Sequence, residues 1–254
     1  MNPINFIGAG PGDPELLTVK AHRMLQEADL VVWAGSLINP KILQVCKPSA
    51  QIVDSSELTL EKIIDSMESG YRQGLAVARL HTGDPSIFGA LREQLRLLRE
   101  RQIPFRIIPG VSSFLAAAAA LEIEYTIPDL TQTLILTRVS GRTSVPAGES
   151  IYELAKHNSS LCIFLSIQQI EDVVKDLKKV LAEQTKVAVV EKASWQEERI
   201  IKGNLEDIVI KVKSAGINKT ALIIVGNCLE DGAERSKLYD AKFAHGYRVN
   251  DEIR

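Results

Sequence analysis

Two related turns constrain this chain more than any other feature. Gly8-Ala9-Gly10-Pro11-Gly12-Asp13-Pro14 near the start has a near-echo in His81-Thr82-Gly83-Asp84-Pro85-Ser86-Ile87-Phe88-Gly89. Each follows a short apolar run, Ile4 to Ile7 and Leu75 to Leu80, and precedes apolar residues at helical spacing. A strand that enters a helix through Gly-Asp-Pro is an α/β device. The aspartate can accept from helix amides, and proline suits a first helical position because it lacks the N–H that would go unpaired there. Two such turns on one parallel sheet face the same crevice, outside the carboxyl ends of the strands, where open α/β sheets bind ligands.

The periodicity around them agrees. Strand-like runs at Leu30–Trp33, Gln51–Asp54 and Phe105–Ile108 alternate with helical patterns, including Leu60, Ile63, Ile64 and Met67 behind the cap candidate Thr59. Five consecutive alanines sit in a helix expected over 114–121, after Pro109-Gly110-Val111-Ser112-Ser113. This alternation predicts a parallel sheet with helices on its faces. Periodicity lapses over 125–133, which is expected as a linker between an amino-terminal domain, 1–124, and a carboxy-terminal domain, 134–230. The latter carries strands near Leu134–Thr137, Leu161–Leu165, Val187–Val190, Arg199–Lys202 and Ala221–Val225, and residues 231–254 read as a polar tail.

Composition narrows the partners. The chain has 254 residues, 45% of them hydrophobic, enough for two cores. Its 30 Lys+Arg against 32 Asp+Glu argue against a general nucleic-acid or anionic-membrane surface, so any cationic function must be local. The stripe Arg92, Arg96 and Arg99 reads as a solvated helix face offset by Glu93 and Glu100. Cys46, Cys162 and Cys228 are widely separated, no metal-ligand spacing is present, and no apolar run approaches a membrane span. A soluble cytoplasmic protein with no metal site is expected.

The glycine turn at the start invites a dinucleotide reading, which its details oppose. The third glycine comes one position early for Gly-x-Gly-x-x-Gly, Pro11 removes an amide a phosphate would use, and the second strand ends in Trp33-Ala34-Gly35 without a ribose-binding carboxylate. Asp13 and Asp84 also bring negative charge to turns that a phosphate would need free. A cofactor neutral or positive overall fits better. A nicotinamide-dependent oxidoreductase and a non-catalytic ligand-binding protein stand as the rival classes.

Gly-x-Gly-Pro-Gly-Asp-Pro-Glu-Leu-Leu-Thr, then Gly83-Asp84-Pro85, Pro109-Gly110-Val111-Ser112-Ser113 and Ala193-Ser194-Trp195-Gln196, in this order over nearly the whole chain, resemble the tetrapyrrole methylase family. Within it, Val31 to Leu37, Pro109 to Leu121, and Thr137-Arg138 with Gly141-Arg142-Thr143-x-Val145-Pro146 resemble the precorrin-4 C-11 methyltransferases of corrin biosynthesis, including those acting on the cobalt-bearing substrate. A sibling acting at another ring carbon is the nearest alternative.

The resemblance implies a two-domain α/β fold, each domain a mostly parallel or mixed sheet flanked by helices, with S-adenosylmethionine in the cleft between them. It also implies a homodimer and a small-molecule tetrapyrrole substrate. Carried over by motif position, the cofactor residues would be Pro11, Gly83, Asp84, Ile87, Ser112, Ser113, Leu165, Ala193, Thr220 and Ala221. A precorrin carries many carboxylates, and guanidinium suits them, so Arg138 and Arg142 are expected to grip the substrate periphery, with Ser36 and His81 lining the site. No residue stands out as a general base.

Overall fold

The structure, a computed structural model, describes residues 2–141 and 143–230, and within these it divides into two compact units. The polar tail and Arg142 lie outside the described residues.

The first unit, Met1–Ala120 with Lys192–Arg199, is built on a five-stranded parallel sheet. Its strands are β1 (Ile4–Gly8), β2 (Leu30–Trp33), β3 (Gln51–Asp54), β4 (Val77–His81) and β5 (Phe105–Ile108), in the order β3-β2-β4-β1-β5. Helices α1 (Val19–Glu27), α2 (Leu60–Arg72), α3 (Leu91–Glu100) and α4 (Ser113–Leu121) connect or follow them. Central strands of such a sheet are covered on both faces, hence their nearly continuous apolar sequence. Alternation along β1 sends Ile4 and Phe6 into a core with Ile63, Ile64 and Met67 of α2 and Leu95 and Leu98 of α3. Ile7 goes to the opposite core, with Ala21 and Leu25 of α1. The chain therefore leaves β1 through α1 on one face and leaves β4 through α3 on the other, in opposite directions along the sheet. The adjacent pair β1 and β4, in register with Gly8 beside His81, is the switch point at which the two glycine-bearing turns emerge together.

Two local expectations are corrected. The helical pattern from Leu16 begins instead as a 3-10 turn over Pro14–Leu16, and α1 starts at Val19, capped by Thr18, whose hydroxyl accepts from Ala21 N at 3.2 Å. Asp13 caps the 3-10 turn through Glu15 N, as its position suggested. Asp84 does not cap α3: that helix starts after Ala90, with no side-chain cap, and the Asp84 carboxylate is used elsewhere.

The second unit comprises Leu121–Glu191 and residues from Ile200 onward. Its strands β6 (Leu134–Arg138), β7 (Ser160–Phe164), β8 (Lys186–Glu191), β9 (Arg199–Asn204) and β10 (Ala221–Val225) form a mixed sheet in the order β6-β7-β10-β8-β9. β6 and β7 are parallel, and β10 runs antiparallel to both β7 and β8. One face is covered by α5 (Ile151–Ala155), α6 (Ile170–Leu177) and α7 (Ile208–Ser214), whose apolar stripes meet Leu161, Ile163, Val187, Val189, Ile223 and Val225. Cys162 is buried in this sheet, as its apolar surroundings predict. Among the described residues no helix is long and apolar enough to cross a membrane, and no cluster of His, Cys, Asp or Glu could hold a metal ion.

Candidate functional site

The carboxyl ends of β1, β4 and β5 converge on three glycines. A Cβ on Gly8 would lie 2.5 Å from Gly110 Cα and 2.7 Å from Gly83 O, and one on Gly110 would lie 2.2 Å from Gly83 O. Backbone rather than side chain fills this junction, so only glycine permits it. Hydrogen bonds fix its register: Ala9 N donates to His81 O at 2.7 Å, Gly83 N to Gly10 O at 2.9 Å, and Gly10 N to Gly83 O at 3.2 Å. The two turns that resemble one another in sequence are thus bonded to one another in space.

Asp84 locks the third turn to the second. Its Oδ2 accepts from Gly110 N at 2.9 Å, and its Oδ1 accepts from Ser86 N at 2.8 Å and from the Ser86 hydroxyl. Burial pushes the Asp84 carboxyl upward, but the hydrogen bonds from Ser86 and Gly110 outweigh it and hold the group below its ordinary value. The side chain is therefore a carboxylate near neutral pH. Its Asx-type bonds shape the loop that carries Ile87, whose N–H returns to Asp84 O at 3.2 Å. Gly83 sits against Ser112, and Ser113 opens α4. Pro11, Gly83, Asp84, Ile87, Ser112 and Ser113 are consequently neighbours on one end of one sheet.

A strap from late in the chain joins them. Lys192–Arg199, the connection after β8, belongs to the first unit. Ser194 Oγ accepts from Asp13 N at 3.0 Å, and Trp195 Nε1 donates to Pro11 O at 2.9 Å. Ala193, within this strap, is buried. Asn39, ahead of Pro40, adds a further tie: its Nδ2 donates to Gly12 O at 2.9 Å, while its Oδ1 accepts from Lys41 N. Sequence reasoning gave no role to Trp195 or Asn39. Asn-Pro at 39–40 was a readable cap signal, but its bond to Gly12, 27 positions away, was not.

In the second unit, Leu165 follows β7 and Ala221 opens β10. Extending the register in which Ile223 faces Ile163 puts Ala221 opposite Leu165, and Ala221 pairs with Glu191 on its other side. Leu165, Thr220, Lys192 and Ser194 all hold left-handed backbone, with φ of 53, 50, 49 and 69°. Such conformations are costly for residues with a Cβ and concentrate at functional sites. Leu165 is 66% exposed.

The residues expected at the substrate are placed differently from one another. Ser36 is exposed on the turn after β2. His81 is 5% exposed beneath the second turn, 5.8 Å from the Phe6 ring, so it supports the turn from the core side. Burial, with the Arg79 cation beside it, pushes the His81 imidazole down to about 3, so it is neutral at working pH; a hydrogen bond with the Gly89 backbone only partly opposes this. Arg79 is itself buried, donating to Ser55 Oγ, Val32 O and Gln94 Oε1. Arg138 spends its guanidinium on its own loop, donating to Val139 O, Thr143 O and Ser144 O at 3.0 to 3.2 Å.

This arrangement offers packed backbone polar groups and one carboxylate, Asp84, whose oxygens are taken up by Gly110 N, Ser86 N and the Ser86 hydroxyl. Residues 3–209 match the family model "Tetrapyrrole (Corrin/Porphyrin) Methylases". A cobalt-precorrin-4 C(11)-methyltransferase of Methanocaldococcus jannaschii is 51% identical over 96% of this chain and 95% of its own. An X-ray structure of a cobalt precorrin-4 methyltransferase superposes with a TM-score of 0.88 at 43% identity, covering 90% of this chain and 96% of that one. A uroporphyrin-III C-methyl transferase from Thermus thermophilus, complexed with S-adenosyl homocysteine, gives a TM-score of 0.77 at 26% identity, covering 92% and 96%. The chain, with its three glycine-lined strand ends, belongs to the tetrapyrrole methylases.

Proposed function

We propose that this chain transfers a methyl group from S-adenosylmethionine to C-11 of cobalt-precorrin-4, in the biosynthesis of the cobalamin ring. The observation that carries the reading is the 51% identity to the cobalt-precorrin-4 C(11)-methyltransferase, sustained over 96% of the chain.

The site suits the donor. The Gly8–Gly83–Gly110 junction holds the three turns in direct backbone contact at one end of the sheet. The residues holding the donor would be Pro11, Gly83, Asp84, Ile87, Ser112 and Ser113 from the first unit, with Ala193 from the strap and Leu165, Thr220 and Ala221 from the ends of β7 and β10. When bound, S-adenosylmethionine supplies an electrophilic methyl on a sulfonium. The protein's contribution is orientation, which can lower a barrier by about 7 to 11 kcal/mol in well-placed pairs. Asp84 contributes as the carboxylate that ties Gly110 to the second turn and so fixes the cradle. No side chain of the site is assigned a proton, because C-11 becomes quaternary and the proton is lost from elsewhere on the conjugated ring.

The protein would act as a homodimer in the cytoplasm, a compartment in which Cys46, Cys162 and Cys228, all unpaired, stay reduced. Size-exclusion chromatography with light scattering measures the first point. The decisive assay incubates the purified chain with S-adenosylmethionine and precorrin-4, with and without cobalt, and locates the product methyl by mass spectrometry and NMR. One methyl at C-11, formed faster on the cobalt form, is expected. A methyl at another ring carbon, or none, overturns the assignment.

A further inference from the structure

Beyond the donor cradle, the second turn and α3 line an open groove of about 970 Å³, within the upper range of small-molecule sites. It begins at Pro85 and Ser86, directly after Asp84, and runs along the helix past Arg92, Arg96 and Arg99. These three positions, four and three apart, share one helix face. Glu93 is the only acidic residue of the lining. The lining therefore carries three arginines against one glutamate in a chain whose 30 cationic and 32 anionic residues nearly balance.

The arginines are available. Arg96 pairs with Glu100 at 2.6 Å, but both side chains are more than half exposed, and such surface pairs exchange readily for a better partner. The Arg99 guanidinium lies 5.1 Å from the centroid of the Phe105 ring, which steadies the side chain while leaving its in-plane donors usable. Phe88, also in the lining, is 44% exposed and is held there by left-handed backbone with φ of 51°. An aromatic face beside a row of guanidinium groups suits a large ring with an apolar body and several carboxylates at its edge.

We propose that this groove binds the peripheral carboxylates of the tetrapyrrole through Arg92, Arg96 and Arg99, with Phe88 against the ring. The assignment rests on the tetrapyrrole reading above, and it shifts the cationic grip from Arg138, whose donors are already engaged, to α3. The Arg96–Glu100 pair is exposed, as expected of a solvated helix face, and the proposal adds a ligand for that face.

The test titrates the full chain with uroporphyrin III, a stable octacarboxylate, by absorbance and fluorescence, and compares coproporphyrin III, which has half as many carboxylates. R92A/R96A is expected to weaken uroporphyrin binding about tenfold or more, to flatten its salt dependence, and to leave S-adenosylhomocysteine affinity unchanged. R92K/R96K, which keeps charge but loses bidentate geometry, is expected to fall between. K20A/K62A removes two exposed cations elsewhere on the same unit and is expected to change nothing. Unaltered affinity in R92A/R96A, equal weakening in K20A/K62A, or no uroporphyrin binding by the wild type would each overturn the proposal. The two readings fail separately: C-11 methylation unaffected by R92A/R96A removes the groove and keeps the function, while arginine-dependent porphyrin binding without C-11 methylation does the reverse.

Discussion

The indole nitrogen of Trp195 donates to the carbonyl oxygen of Pro11 at 2.9 Å, across 184 positions of sequence. The ring also stands where a side chain on residue 12 would go: a Cβ on Gly12 would lie 2.0 Å from Cδ1 and Nε1. Lys192 Nζ lies 5.3 Å from the ring centroid. The first glycine turn is thus held in place by a strap from late in the chain.

Trp195→Phe keeps an aromatic ring over Gly12 and deletes the donor. Losing one such bond costs about 1 kcal/mol of stability. Because Pro11 would touch the methyl donor, S-adenosylhomocysteine affinity measured by calorimetry is expected to fall severalfold as well. Lowered stability with unchanged affinity would show that the strap braces the fold without shaping the site.

Gly110→Ala places a methyl 2.2 Å from Gly83 O and 2.7 Å from Gly8 Cα, against backbone that cannot rotate away. Overpacking of this kind costs about 1 to 3 kcal/mol or more, and here the upper end is expected. Gly148→Ala is the control, since a Cβ there meets nothing within 4 Å and the backbone is not left-handed. Urea unfolding midpoints should separate the two variants clearly; equal midpoints would mean that the junction yields.

Asp84→Asn turns one acceptor into a donor that faces an N–H of Gly110 or Ser86. The Gly110 N–H is part-buried and the Ser86 N–H exposed, so water can replace part of what is lost and a cost of about 1 kcal/mol is expected. The pH dependence carries a sign. The folded carboxyl sits below its ordinary value of 3.8, so its stabilisation is present above that pH and is lost as pH falls through the lower folded value. The wild type should therefore shed this contribution only below about pH 3.8, and the asparagine variant should lack that part of the acid limb in urea titrations.

His81 works the other way round in charge but not in direction. Its folded value lies near 3 against an ordinary 6.5, so below pH 6.5 the unfolded chain binds a proton that the folded chain refuses. Stability should fall as pH drops from 6.5 towards 3, with a slope of up to about 1.4 kcal/mol per pH unit from this group. His81→Phe should flatten the slope between pH 6.5 and 4.5. Identical slopes in both proteins would assign the acid sensitivity to other residues.

Much of the framework was legible because it is local. Thr59 was a readable cap, and its hydroxyl accepts from Lys62 N; the runs at Ile4, Leu30, Gln51 and Phe105 became strands because apolar periodicity acts within a few residues. Asp84 was harder. Gly-Asp-Pro before a helical pattern signals a cap, yet the carboxylate found Gly110, 26 positions on, because β4 and β5 flank β1 and their ends meet across it.

The sequence by itself determined the strand and helix alternation, the paired glycine turns and the family, since each resides in short-range pattern or in motifs kept in order. Only the tertiary structure decided that Gly8, Gly83 and Gly110 share one backbone junction, that Trp195 secures Pro11, and that three arginines line a groove beside Phe88. Those facts depend on which strands become neighbours and on where a distant connection folds back. Both are fixed by burying apolar faces over the whole unit, a condition no local window of sequence contains.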